Sequence, residues 1–212
     1  MRRTEIACLV LVALSVAVGI FFYPRMPAEM ASHWNYLGEV DGYIPKFWGI
    51  FLMPMISAVM LLLFMLLPRI DPLKANVAKF RNYFDNFILL MMLFMLYLYG
   101  LTLAWNLGAR FGMITLLTPA FAALFYYAGV MMENAKRNWF IGIKTPWTLS
   151  SDKVWDKTHK LGGKLFKIVG LISLFGAVFQ RYAIAIVIIP VLAASLWLVI
   201  YSYIEYRKEK RK

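Results

Sequence analysis

The segment Lys46-FWGIFLMPMISAVMLLLFMLLP-Arg69 decides the class of this protein. Between its two bases lie 22 residues without one charged side chain. About 20 apolar residues suffice for a helix to cross the hydrocarbon of a bilayer, so residues 47–68 predict a spanning helix. Working outward, five further stretches meet or approach the same criterion, at about 4–24, 84–106, 112–132, 164–180 and 182–206. The fifth is the shortest, and Lys164 and Lys167 extend it by reaching toward lipid headgroups. Across all 212 residues, 62% are hydrophobic and 16% charged, with a mean hydropathy of +0.66. A soluble domain is nearer half apolar and a quarter charged, so a water-soluble enzyme and a disordered chain are both excluded. The expected fold is an all-α integral membrane protein of six transmembrane helices in the cell membrane.

A formal net charge of +12 would suit nucleic acid, but its distribution argues otherwise. With both termini placed in the cytoplasm, Arg2, Arg3 and the bases of 69–83, 133–167 and 207–212 all fall inside. That makes 19 Lys and Arg inside against four outside, namely Arg25, Lys46, Arg110 and Arg181. Positive residues concentrate in cytoplasmic loops, so the charge reads as an orientation signal for cytoplasmic N- and C-termini, with no direct nucleic-acid contact. Arg2-Arg3 before an apolar stretch imitates a secretory signal, yet no small-residue cleavage site follows Tyr23, which favours an uncleaved first helix. The single cysteine, Cys8, leaves no intrachain disulfide.

Two loops divide the chain into a two-helix hairpin (1–68), a linker (69–83) and a four-helix part (84–212). In the linker Leu73, Val77, Phe80 and Phe84 recur at helical spacing, with Lys74, Lys79 and Arg81 off that face. This pattern predicts an amphipathic lead-in lying on the inner leaflet.

The first loop, expected outside, runs from Pro24 to Lys46 and holds Pro27, His33-Trp34-Asn35, Gly38, Glu39 and Asp41. Its prolines exclude one continuous helix, and Gly38 is turn chemistry that would bring Glu39 and Asp41 back toward His33 and Asn35. These four form either an outward-facing polar site or the fasteners of a proline-rich loop. Trp34 and Tyr36 would anchor the loop at the interface. A metal site on His33, Glu39 and Asp41 is the weaker alternative, since one histidine offers no pair at ligand spacing.

The second loop, residues 133–163, is expected inside. It reads Asn138-WFIGIKTPWTLSSDKVWDKTHKLG-Gly163. Thr148 or Ser150 would cap a short helix on which Trp155 and His159 share a face. Gly162-Gly163 would end that helix before the fifth span. With its tryptophans, His159 and many lysines, the loop suits the grip of a partner protein. A basic segment resting on anionic lipid is the alternative. No buried charge sits in the middle of a span, and no Ser/His/Asp group, His-Glu-x-x-His or phosphate loop occurs. A membrane enzyme or a small-solute transporter is therefore the alternative class, and no cofactor is expected.

The motif Pro24-x-x-Pro27 followed by His33-Trp34-Asn35-x-x-Gly38-x-x-Asp41 and Lys46 resembles the outer-loop signature of a membrane domain of unknown function. The motif Asn138-x-x-x-Gly142-Ile-Lys144-Thr145-Pro146-Trp147-Thr148, then Trp155-x-x-x-His159-x-x-Gly162-Gly163, resembles the SdpI family. Lys144 stands where that family often has arginine. The resemblance implies a polytopic immunity and signalling protein without catalytic residues. It implies that His33, Trp34, Asn35, Gly38, Asp41 and Lys46 face a secreted peptide toxin. It implies also that Asn138, Gly142, Lys144, Thr145, Pro146, Trp147, Thr148, Trp155, His159 and Gly162 face a cytoplasmic partner, an ArsR-like repressor held at the membrane.

Overall fold

The computed structural model describes residues 1–211; Lys212, one of the C-terminal bases counted above, lies outside the described residues. Helix α1 spans Arg3–Phe22 and a 3-10 turn Tyr23–Arg25 leads into two antiparallel strands, β1 (Glu29–Trp34) and β2 (Val40–Pro45). There follow α2 (Lys46–Ile70), the short α3 (Lys74–Lys79), α4 (Arg81–Asn106) and α5 (Met113–Asn134). The C-terminal part holds α6 (Pro146–Ser150), α7 (Asp152–Ser173), α8 (Phe175–Val178), a 3-10 turn Gln180–Tyr182 and α9 (Ala183–Lys210). Six of these helices are long and apolar enough to cross a membrane, which makes this a multi-pass membrane protein. The all-α expectation needs one amendment, the small β-hairpin. It forms because Pro24, Pro27 and Pro45 forbid helix there and the backbone must pair elsewhere.

The six spans run alternately up and down, so the bundle has two unlike ends. One carries the β-hairpin, the turn between α4 and α5, and the turn between α7 and α9. The other carries the termini, α3 and the segment 135–151. We call these the hairpin end and the basic end. Helix α4 packs against α1 and α2 on one side and α5 on the other, while α5 and α7 form the most extensive helix pair. The outward faces of the spans expose Leu62, Leu63, Ile189, Leu192 and Leu196. In water such faces would aggregate; in a bilayer they meet lipid.

Two expectations fail here. Gly162 and Gly163 do not end a helix: α7 runs unbroken from Asp152 to Ser173, so the short inner helix and the fifth span are one element. The glycines serve packing. A Cβ on Gly163 would lie 2.2 Å from Glu133 Cγ and 2.7 Å from the Gly129 carbonyl of α5. Small residues at such crossings let two membrane helices approach closely, and here that outweighs helix propensity. Second, the amphipathic linker does not rest on lipid. Val77, Phe80 and Phe84 are buried in the protein core with Cys8, Leu61 and Ile141. The apolar face found protein rather than membrane because α1, α2 and the segment after α5 converge above it.

Candidate functional site

At the hairpin end, β1 and β2 pair from Glu29 opposite Pro45 to Trp34 opposite Val40, with irregular register around His33. The turn between them is built by Asn35. Its Oδ1 accepts from the backbone N–H groups of Leu37 (2.9 Å) and Glu39 (3.1 Å), and its Nδ2 donates to the Glu39 carboxylate at 3.2 Å. Gly38 holds φ +81°, the left-handed conformation this turn requires. His33 Nδ1 lies 2.5 Å from Asp41 Oδ1 in an exposed pair, the histidine side chain being 70% accessible. Asn35 holds Glu39 while His33 holds Asp41, and among the described residues no three His, Cys, Asp or Glu are placed to bind a metal.

What fixes the hairpin to the bundle was not read from sequence. The side chain of Asn106, last residue of α4, accepts from the Ala31 N–H (2.8 Å) and donates to the Ala31 carbonyl (3.1 Å). A carboxamide thus pairs with a strand edge as another strand would. Beside it Trp34 meets Trp105 edge-on at 5.8 Å, and Arg110 lies over the Trp105 ring at 5.0 Å. Trp34 is therefore a packing residue between hairpin and α4 rather than a free interfacial anchor. Tyr36, by contrast, is exposed.

The basic end is a folded cap. Asn138, fully buried, makes four hydrogen bonds. It accepts from Phe140 N–H (3.0 Å) and Ile141 N–H (2.6 Å) and donates to the carbonyls of Lys136 and Ile141, both at 2.9 Å. Trp155 donates its indole N–H to the Ala135 carbonyl at 2.9 Å. His159 stacks on Trp155 with ring centroids 3.9 Å apart. Its Nδ1–H donates to the Trp155 carbonyl, and Nε2 accepts from the Ile143 N–H, both at 2.9 Å. Both nitrogens are thus used, and the geometry requires the neutral ring. Gly142, at φ +108°, passes so close that a Cβ there would lie 2.4 Å from His159 Nε2.

The Thr145-Pro146-Trp147-Thr148 turn is a reciprocal cap: Thr148 N–H donates to Thr145 Oγ1 and Thr145 N–H to Thr148 Oγ1. The Thr145 hydroxyl also shares a 3.0 Å hydrogen bond with Ser202 of α9, and Trp147 packs on Tyr203 at 5.0 Å. Asn138, Thr145, Thr148, Trp155, His159 and Gly162 therefore face inward, which corrects the expectation that they face a partner. Pro146, Lys144 and Gly142 stay exposed, and so do two aromatic residues that sequence reasoning passed over, Trp139 (51%) and Phe140 (37%).

Four buried acids were also left without a role. Asp71, buried after α2, accepts from Leu73 N–H at 2.7 Å and from Trp139 N–H at 2.9 Å, tying the linker to the cap. Glu5 of α1 and Asp85 of α4 are buried and bridged by Arg81, at 3.2 Å and 2.6 Å respectively, with Arg2 also on Asp85. Glu205 of α9 is buried and held by Lys157 and Lys208. Glu5, Asp85 and Glu205 lie within a few residues of lysine or arginine in sequence, and burial of a charge without such partners would be costly. That juxtaposition was the available signal.

Residues 134–203, the cap together with α7 and most of α9, match the model of the SdpI/YfhL protein family. That part of the chain is thus similar to the SdpI family. Residues 10–58, which contain the β-hairpin, match a domain of unknown function, DUF1648. The chain is 26% identical over 207 residues to the immunity protein SdpI of Bacillus subtilis (strain 168), covering 97% of each. No solved structure matches. The two matched segments thus contain the two places where irregular backbone is most heavily fastened.

Proposed function

We propose that this chain is a membrane immunity protein that protects its cell from a secreted peptide toxin. The observation that carries the reading is the similarity to an immunity protein along 97% of both chains, loops and spans alike. The basic end lies in the cytoplasm, where its concentration of lysine and arginine is favoured, and the hairpin end faces outward. The exposed His33–Asp41 pair and the neighbouring Tyr36, Leu37 and Tyr43 form the surface a toxin would meet. On the cytoplasmic side the exposed Trp139, Phe140 and Lys144 form the surface for a partner, a transcriptional repressor of the ArsR-like class. Exposed tryptophan and phenylalanine are residues that protein interfaces favour.

The test is expression in a toxin-sensitive strain challenged with candidate peptide toxins. Protection by the wild type is expected, with reduced protection by His33→Ala at equal membrane abundance. Trp139→Ala should leave protection intact and weaken retention of the repressor at the membrane. Absence of protection by the wild type would remove the reading. Orientation is checked separately with single cysteines at Ser32 and Ser150 in a Cys8→Ala background, probed with an impermeant thiol reagent. Labelling of Ser150→Cys in intact cells would invert the assignment of sides.

A further inference from the structure

Beneath the β-hairpin the bundle is not filled. A cavity of about 480 Å³ lies between α2 and α9, backed by α4 and α5 and roofed by residues 31–34. Its walls are almost wholly hydrocarbon, from Leu52, Leu98, Leu117, Phe121, Ile184 and Ile188. Leu52, Ile184 and Ile188 are also partly exposed on the outer faces of their helices. The cavity is thus a groove that opens sideways into the bilayer.

Its dimensions select the occupant. The α5 wall runs from Met113 to Phe125, ~18 Å at 1.5 Å per residue. That matches the ~15 Å hydrocarbon depth of a single leaflet. A single extended acyl chain fits that length.

The rim of the groove supplies a sign of charge. A second cavity of about 430 Å³ adjoins the first, with Ile114 lining both. Its other walls are the hairpin turn at Leu37 and Gly38, the start of α5 at Gly112 and Thr115, and Gln180 with Arg181. No carboxylate lines it. Arg181 makes no ion pair among the described residues. Helix α5 begins there with neither a side-chain cap nor an acid in its first turn, so its free N–H groups add to the positive rim. An apolar slot one leaflet deep under an unpaired arginine is complementary to an anionic amphiphile.

We propose that this groove binds one phospholipid from the leaflet on the hairpin side, with an acyl chain between α2 and α9 and an anionic headgroup phosphate at Arg181. The groove shares His33 and Leu37 with the proposed toxin surface, but it is read by lipid retention and not by protection, so its failure would leave the immunity reading as it is.

The test uses the full chain in nanodiscs of phosphatidylcholine containing a minority of phosphatidylglycerol, with retained lipid counted by native mass spectrometry. The wild type should retain one phosphatidylglycerol, preferred over phosphatidylcholine by about fivefold, the scale of one arginine near an anionic surface. Arg181→Gln should keep a bound lipid and lose the preference. Ile184→Trp and Ile188→Trp, which fill the groove from positions already in contact with lipid, should lose the bound lipid at unchanged melting temperature. Glycerophosphate without chains should not compete. Retention by both tryptophan variants equal to wild type, absence of headgroup preference in the wild type, or competition by glycerophosphate would each overturn the proposal.

Discussion

The β-hairpin and the cap, which residues 135–151 form with the first turns of α7, both lie at the ends of membrane helices and both carry tryptophan, asparagine and histidine. They use those residues oppositely. In the hairpin the histidine is exposed and bound to a neighbouring aspartate. In the cap the histidine is 1% accessible, stacked on a tryptophan, with both nitrogens committed to backbone groups. Asn35 closes a surface turn, whereas Asn138 satisfies four groups in a place water does not reach. The difference teaches that a polar residue in a membrane-proximal loop is functional surface only where solvent already meets its hydrogen bonds. Where it is buried, its first role is to satisfy the backbone, because an unpaired group there costs about 1–3 kcal/mol.

That contrast is breakable. Trp155→Ala should have the largest effect, since it removes a fully buried ring, its stack with His159 and the bond to Ala135. A loss of about 3–5 kcal/mol is expected, read as a lowered unfolding midpoint in detergent micelles. Asn138→Ala strands the buried N–H of Ile141 and the half-buried N–H of Phe140 and should cost about 2–4 kcal/mol in the same assay. Asn106→Ala tests the other region. It frees one edge of β1, so about 1–2 kcal/mol is lost and amide exchange should rise in residues 29–34 while the cap stays protected. Asp41→Asn should change stability least, by about 0–1 kcal/mol, because the pair it breaks is exposed. A large loss from Asp41→Asn, or a negligible one from Asn138→Ala, would reverse the comparison.

The spans were legible because lipid imposes a one-dimensional requirement, enough consecutive apolar residues, and Phe47–Pro68 meets it without any knowledge of neighbours. The turn at Gly38 was legible because left-handed backbone and asparagine chemistry are local. The cap was legible only as a motif. Its residues were found, but their direction was not, since burial of Asn138 and His159 depends on α3, α5 and α9 converging around them. Gly162-Gly163 misled for the same reason: the local rule for glycine is a helix end, and only the approach of Gly129 and Glu133 on α5 makes it a crossing point.

By itself, then, the sequence determined that this chain spans a membrane six times and that its charge is strongly unequal between the two ends. Both follow from composition along the chain and need no fold. The tertiary structure alone decided which polar residues are fasteners and which are surface. It alone decided that Asn106 grips the hairpin, and that an apolar groove with an unpaired arginine at its rim lies beneath it. Those properties belong to pairs of residues distant in sequence, and only packing sets the distance between them.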